Sequence, residues 1–236
     1  MNSLSIIIPT YNEEENIGKI IVTLQKILEN NSIPYEILVM DDKSTDKTQT
    51  IVQNISKSSL NIHLIIRLRD HGLSQSVVDG FSRAQNNLLI VMDADFSHPP
   101  SAVVELYNAL TKGYDLAIGS RYIKGGAIEN WPVERKILSF GATFLARLLF
   151  PDINDPVSGF FGLHRRILEG ARLKPRGYKI LLEVLGKSNW NSIIELPITF
   201  VEREGGSSKL NLKVIFQYII QFTDIATFRV CHRFHE

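Results

Sequence analysis

The chain has 236 residues, 44% of them hydrophobic and 22% charged, with one cysteine and a net charge of +1. That composition excludes a disordered or collagen-like chain, and the single Cys231 excludes an internal disulfide or a Cys-based zinc site. The charge is divided, with 9 Lys and Arg against 14 Asp and Glu in residues 1–118 and 17 against 11 in the rest, a split that suits a site handling a cation in one part and anions in another.

Leu4–Ile8 is a β-branched run stopped by Pro9 and reads as a strand buried on both faces. Asn12, followed by three glutamates, predicts an N-cap and a helix running to about Leu28. Tyr35–Met40 is a second strand ending on Asp41-Asp42, and Ser44-Thr45-Asp46 predicts the cap of the next helix. Ile62–Ile66 is a strand, Leu73–Arg83 a helix, and Leu88–Met92 a strand ending on Asp93-Ala94-Asp95. Pro99-Pro100-Ser101 opens another helix, and Leu116–Ile118 is a fifth strand. Strands alternating with helices in this way predict βαβ units and a mostly parallel α/β sheet. Right-handed crossovers then bring the strand C-termini, with Asp41, Asp42, Asp93, Asp95 and Arg121, to one edge, where such sheets bind ligands.

After Ser120 the rhythm breaks. Gly125-Gly126 predicts a turn, Ile137–Phe150 an apolar helix, Val157–Leu163 a strand, and Ile193–Val201 a strand interrupted by Pro197. Glu202–Lys209 is a Gly/Ser-rich loop, and Leu210–Arg229 is a second apolar helix. The chain reads as a single domain of residues 1–236, with a regular βαβ half to about residue 120. The second half, about 121–236, completes the same sheet and adds cover. No secretory signal and no run of about 18 apolar residues is present, which predicts a soluble or peripheral protein.

Two carboxylates one residue apart at a strand end, Asp93 and Asp95, can converge on a hard cation such as Mg²⁺ or Mn²⁺; a turn or helix-cap role is the alternative. No G-x-G-x-x-G or Walker A loop follows the first strand, which disfavours dinucleotide and P-loop chemistry. The turn with Tyr11 and Glu13 suits one nucleoside held by stacking and hydrogen bonds. Asp41-Asp42 can accept from a base or ribose, or serve its own turn. Arg121, Lys124, Arg135, Lys136, Arg203 and Lys209 form a basic set suited to phosphate, or a solvated surface. Near-neutral charge without a basic-aromatic platform speaks against nucleic acid. The two apolar helices suit a membrane interface, core packing or a dimer contact. His98 beside the acidic motif predicts a capping or supporting role.

Taken in order, Ile6–Glu13, Asp41–Thr48 and Asp93–Pro100 resemble the inverting family 2 glycosyltransferases of the GT-A fold. Gly119–Tyr122, Asn130-Trp131-Pro132, Arg135, Asp155–Phe160 and Ser208-Lys209-Leu210 are similar to the dolichol-phosphate mannose synthase branch. The resemblance implies a Rossmann-like GT-A sheet with C-terminal amphipathic helices. It implies mannose transfer from GDP-mannose to a polyprenyl phosphate lipid at a membrane surface, with Mg²⁺ or Mn²⁺. Glucose transfer from UDP-glucose, transfer to a soluble glycan with Asp155 as base, and a non-catalytic binding module are the alternatives. By position, Pro9, Tyr11, Glu13, Met40 and Asp41 would line the nucleoside pocket, and Asp93, Ala94 and Asp95 would hold metal and donor. Ser97 stands where the branch often has Gln and would reach the metal through water. Arg121, Arg135 and Ser139 would take the acceptor phosphate, while Arg203 and Lys209 would clamp the donor diphosphate. The implied location is the cytoplasmic face of a membrane, with a membrane-anchoring partner subunit as an option.

Overall fold

The computed structural model describes residues 2–202 and 212–233. Its centre is a seven-stranded sheet in the order β3-β2-β1-β4-β7-β5-β8. The strands are β1 (Leu4–Thr10), β2 (Tyr35–Asp41), β3 (Ile62–Ile66), β4 (Leu88–Val91), β5 (Leu116–Ser120), β7 (Phe161–His164) and β8 (Ile193–Pro197). A second, two-stranded sheet pairs β6 (Ala127–Glu129) with β9 (Thr199–Val201). All the central pairings are parallel except those of β7, which runs antiparallel to both β4 and β5.

Helices cover both faces, so the inner strands β1, β2, β4 and β5 are buried on both sides and read as largely apolar runs. On one face α1 (Ile17–Asn30), α2 (Thr48–Ser58) and α4 (Ala102–Thr111) pack Ile20, Leu24, Val52, Val103 and Leu106 against Ile6, Ile8 and Val39. On the other, α3 (Leu73–Arg83), α5 (Val133–Leu149), α6 (Ile180–Lys187) and α7 (Leu212–Arg233) bring Val77, Phe81, Ala146, Leu181 and Ile225 against Ile7, Leu38 and Met40. Gly80 lets α3 lie close on β1: a Cβ there would stand 2.5 Å from the Ile7 side chain.

Several boundaries differ from the expectation, each for a local reason. Asn12 does not cap α1, which starts at Ile17 after Asn16. Asn12 takes a left-handed backbone (φ 55°), tolerable for Asn, and laces two loops together. Its side-chain oxygen accepts from Thr45 N–H at 2.8 Å and its own N–H donates to Ser44 Oγ at 2.9 Å. Asp46 does serve the start of α2, accepting from Thr48 N–H at 2.9 Å. α5 begins a turn before Ile137, directly after Pro132.

The segment 193–201 is two strands in two sheets. Pro197 has no N–H to continue a ladder, so β8 ends there and β9 turns onto β6. Only Phe161–His164 of the run 157–163 and its neighbour forms a strand. Before it, Ser158 Oγ donates to Gly119 O at 2.7 Å, holding the chain as a loop across the end of β5.

Candidate active site

The parallel strands β1, β2, β4, β5 and β8 end on one edge of the sheet. Because β7 runs the other way, its N-terminal loop, Asp155–Phe160, enters the same edge. Asp93 and Asp95 follow β4 there, and Arg121 follows β5. The β4 loop is tight: Asp95 Oδ1 accepts from Ser97 N–H at 3.1 Å, and Phe96 takes φ 58°. Gly159 brings the β7 loop close, since a Cβ there would stand 3.4 Å from Asp93 Oδ2 and 3.5 Å from His98 Cε1.

His98 is buried behind the acidic pair. Its ring stacks on Phe160 at 5.1 Å and meets Phe200 edge-on at 5.2 Å. Its Nδ1 lies 3.5 Å from Asp93 N and 3.8 Å from Asp93 Oδ2. Burial pushes the imidazole down to about 4, opposed by Asp95 and assisted by Arg121. A neutral ring wedged under the acidic loop is a support for it, in line with the role expected from sequence.

Arg121 is buried with Asp155 in a two-pronged ion pair. Nε donates to Oδ2 at 2.7 Å and Nη2 to Oδ1 at 2.8 Å, and the Arg121 backbone N–H adds a third bond at 3.1 Å. Asp155 is itself fully buried, and Glu195 on β8 holds the backbone N–H groups of Asn154 and Asp155. The Arg121 guanidinium also lies 5.8 Å from the Trp131 and Phe200 rings and 5.2 Å from Tyr122. Arg135, on α5, pairs with Glu202 and lies 4.4 Å over Trp131. Ser139 Oγ shares a 3.2 Å hydrogen bond with Tyr122 Oη. Of the acceptor set expected from sequence, Arg121 and Arg135 therefore lie near Trp131 and Ser139 beside Tyr122, but both cations are already matched by carboxylates.

The nucleoside set is placed less evenly. Pro9 lies in β1, and Tyr11 and Glu13 follow it on the loop above the edge, with Tyr11 half exposed. Met40 is wholly buried in the core behind α3, so its side chain does not line a pocket. The Asp41 carboxylate is buried too and accepts from Ser44 N–H, Ser44 Oγ and Gln49 Nε2. For Asp41 the turn reading prevails: local N–H and hydroxyl groups satisfy the carboxylate before any ligand arrives. Asp42 likewise takes Arg67, Gly72 N–H and Ser76 Oγ. Arg203 and Lys209 lie outside the described residues.

Sequence reasoning missed Lys179. It stands at the start of α6, partly buried, and its Nζ reaches Val157 O at 3.5 Å. Burial above all, then Arg121, pushes its ammonium down to about 8, against the pull of Asp155 and Asp93. Nothing around it in the sequence marks it, because only α6 docking beside the β7 loop brings it to the site.

The metal expectation rests on Asp93 and Asp95. Among the described residues no group of three or more His, Cys, Asp and Glu side chains gathers to hold an ion. Two carboxylates suit a cation such as Mg²⁺, which keeps waters and takes phosphate oxygens. Among the described residues, Ser97 Oγ is buried with no hydrogen-bond partner, and so are Trp131 Nε1 and Glu202 Oε2. Glu183 Oε2 and Ser188 Oγ, away from this edge, share that condition, so it does not by itself mark a ligand site.

The model for "Glycosyl transferase family 2" matches residues 5–171. A dolichol-phosphate mannosyltransferase of Pyrococcus furiosus is 45% identical over 219 residues. That alignment spans 92% of this chain but only 61% of the relative's own length. The enzymes of the same name from Mycosarcoma maydis and Saccharomyces cerevisiae are 36% and 35% identical, over 80% and 87% of their lengths. Among solved structures, a glucosyl-3-phosphoglycerate synthase from Mycobacterium tuberculosis superposes with a TM-score of 0.69 at 17% identity, covering 97% of this chain and 80% of that one. That likeness is one of fold, and it makes the sheet a GT-A-like one. The sheet, its acidic β4 edge and these matches converge on one conclusion: the chain belongs to glycosyl transferase family 2, within its dolichol-phosphate mannosyltransferase branch.

Proposed function

We propose that this protein transfers mannose from GDP-mannose to the phosphate of a polyprenyl lipid such as dolichyl phosphate, releasing GDP. The observation that carries the reading is the state of Asp155. A sugar hydroxyl acceptor needs a general base, and Asp155 was the carboxylate to supply it. Both its oxygens are occupied by Arg121 and it has no exposure to solvent. A phosphate acceptor brings its own anionic oxygen, so it needs positioning and not deprotonation. The names of the relatives point to the same acceptor class.

In this reading Pro9, Tyr11 and Glu13 face the nucleoside, with Met40 and Asp41 framing the pocket through their backbone. Asp93 and Asp95, with Ala94 between them, would hold Mg²⁺ or Mn²⁺, and the buried Ser97 hydroxyl would meet its water. When bound, the ion supplies charge neutralisation at the departing diphosphate. Arg121, Arg135 and Ser139 shape the acceptor side, with Trp131 near both guanidinium groups. Attack from the face opposite the diphosphate inverts the anomeric centre. Arg203 and Lys209 complete the donor side. The two halves act as one catalytic domain, because β7 and β8 of the second half complete the sheet begun by the first.

The acceptor is a lipid, so the site must meet a membrane. Val133, Ile137, Phe140, Phe144 and Leu148 recur at helical spacing on α5 and are all exposed. Ile215, Phe216 and Ile219 are exposed on α7, which touches α5 where Tyr218 Oη donates to Ala142 O at 2.6 Å. No helix among the described residues is long and apolar enough to cross a membrane. An apolar stripe of this kind lies in an interface. We therefore place the protein peripherally on the membrane that carries the lipid, on its cytoplasmic face.

The deciding experiment incubates the protein with dolichyl phosphate in detergent, with GDP-mannose or UDP-glucose, and with Mg²⁺, Mn²⁺ or EDTA. The expected result is metal-dependent mannosyl lipid from GDP-mannose alone. Glucosyl lipid would replace the donor, and no lipid product from either would overturn the acceptor.

A further inference from the structure

The charges of the acceptor side do not add up to an anion site if only the arginines are counted. Arg121 is neutralised by Asp155 and Arg135 by Glu202. A phosphate monoester near neutral pH carries close to two negative charges. It would meet two ion pairs whose net charge is zero. Lys179 is different. Among the described residues it makes no ion pair, and its ammonium has one long hydrogen bond, to Val157 O at 3.5 Å. Among the described residues two of its three donors are unspent.

Its position is between the two halves of the site. Val157 lies midway between Asp155, which grips Arg121, and Gly159, which abuts Asp93. The ammonium lies within electrostatic reach of Asp93, Asp155, Arg121 and Arg135 together. It is partly buried, and a charge shielded from water acts strongly on a partner and is costly without one. The backbone places it firmly: Lys179 O accepts from the buried Gln221 Nε2 of α7 at 3.0 Å. The helix with the exposed apolar turn Ile215–Ile219 thus also fixes the start of α6.

We propose that Lys179 supplies the uncompensated positive charge that holds the acceptor's phosphate monoester, and that Gln221 of α7 positions it. Arg121 and Arg135, each fixed by its own carboxylate, give that pocket its shape and its donors. The inference rests on the acceptor class proposed above and is independent of which sugar is transferred.

The test is calorimetric binding of farnesyl phosphate to the whole protein in detergent, with farnesol and GDP as controls. Wild type is compared with Lys179→Met, Lys179→Gln, Lys179→Arg and Gln221→Leu, each checked by thermal melting. Loss of a charge-assisted bond predicts farnesyl phosphate weakened roughly 10- to 100-fold in the Met and Gln variants. Farnesol and GDP binding should stay unchanged. The Arg variant should recover most of the affinity, and Gln221→Leu should lose an intermediate amount. Equal farnesyl phosphate affinity in wild type and Lys179→Met would overturn the proposal, as would a parallel loss of GDP binding. Wild type that binds no farnesyl phosphate would overturn it together with the acceptor reading. Wild type that binds farnesyl phosphate through Lys179 yet transfers no mannose would uphold it and reject the donor reading alone.

Discussion

Two charged residues of the candidate site make measurable predictions. The Lys179 ammonium, pushed down to about 8 from an ordinary 10.5, is charged in the fold at a cost. Between about pH 8 and 10.5 the unfolded chain binds the proton and the folded one does not, so stability contributed by this group rises with pH across that window. Lys179→Met should therefore melt higher than wild type at pH 7, with the gap closing toward pH 10.5. A lower melting point at pH 7 would make the lysine structural. Asp155 is the opposite case. Asp155→Asn leaves the Arg121 guanidinium buried without its counter-charge, which costs about 3–5 kcal/mol. Chemical denaturation should show that loss, and turnover should fall with it. A fully stable Asp155→Asn protein would mean that Arg121 is not held as described.

At the level of elements, α7 is tied to α6 by a buried cation. Lys187 Nζ donates to Glu183 Oε1 at 2.8 Å and to Asp224 Oδ2 at 2.5 Å, and Gly186 faces Ile225 with room for no Cβ. Lys187 and Glu183 side chains are almost fully buried, while Asp224 is about one-third exposed. Lys187→Met strands the Glu183 charge, so it should cost about 3–5 kcal/mol; Asp224→Asn breaks the outer arm only and should cost about 1 kcal/mol. Hydrogen exchange should show α7 opening faster in Lys187→Met than the sheet does. Equal exchange in wild type and variant would mean the clip does not hold α7. These helices also show how far pattern reading goes. Leu73–Arg83 was legible to the residue, as a helix with the expected bounds. β9 was not, because Pro197 shows where a strand stops but not which sheet the chain joins next.

For the molecule as a whole, the exposed stripe of α5 is the feature that links fold to membrane. Phe140 and Phe144 are 63% and 57% exposed. Burying a phenylalanine contributes about 1.5–3 kcal/mol, so changing both to Ser should reduce vesicle co-flotation at least about tenfold. The melting point should not fall, because neither side chain packs in the core. Unchanged flotation would move membrane contact away from α5. Acceptors in detergent should still be used by the double variant, which separates docking from chemistry.

The sequence by itself determined the βαβ order, the two-faced burial of the strands, and the collection of Asp93, Asp95 and Arg121 at one edge. Those follow from hydrophobic period and crossover handedness, which are properties of short stretches of chain. It also exposed the family, through residues spread from Ile6 to Leu210. The tertiary structure alone decided the charge state of the site. Asp155 with Arg121, Glu202 with Arg135, and Asp41 with its own turn are pairings that depend on which loops meet. The antiparallel insertion of β7 brings Asp155 and Val157 to the edge, and α6 then delivers Lys179. A charge in a sequence has a sign but no partner, and whether it binds a ligand depends on whether the fold has already neutralised it.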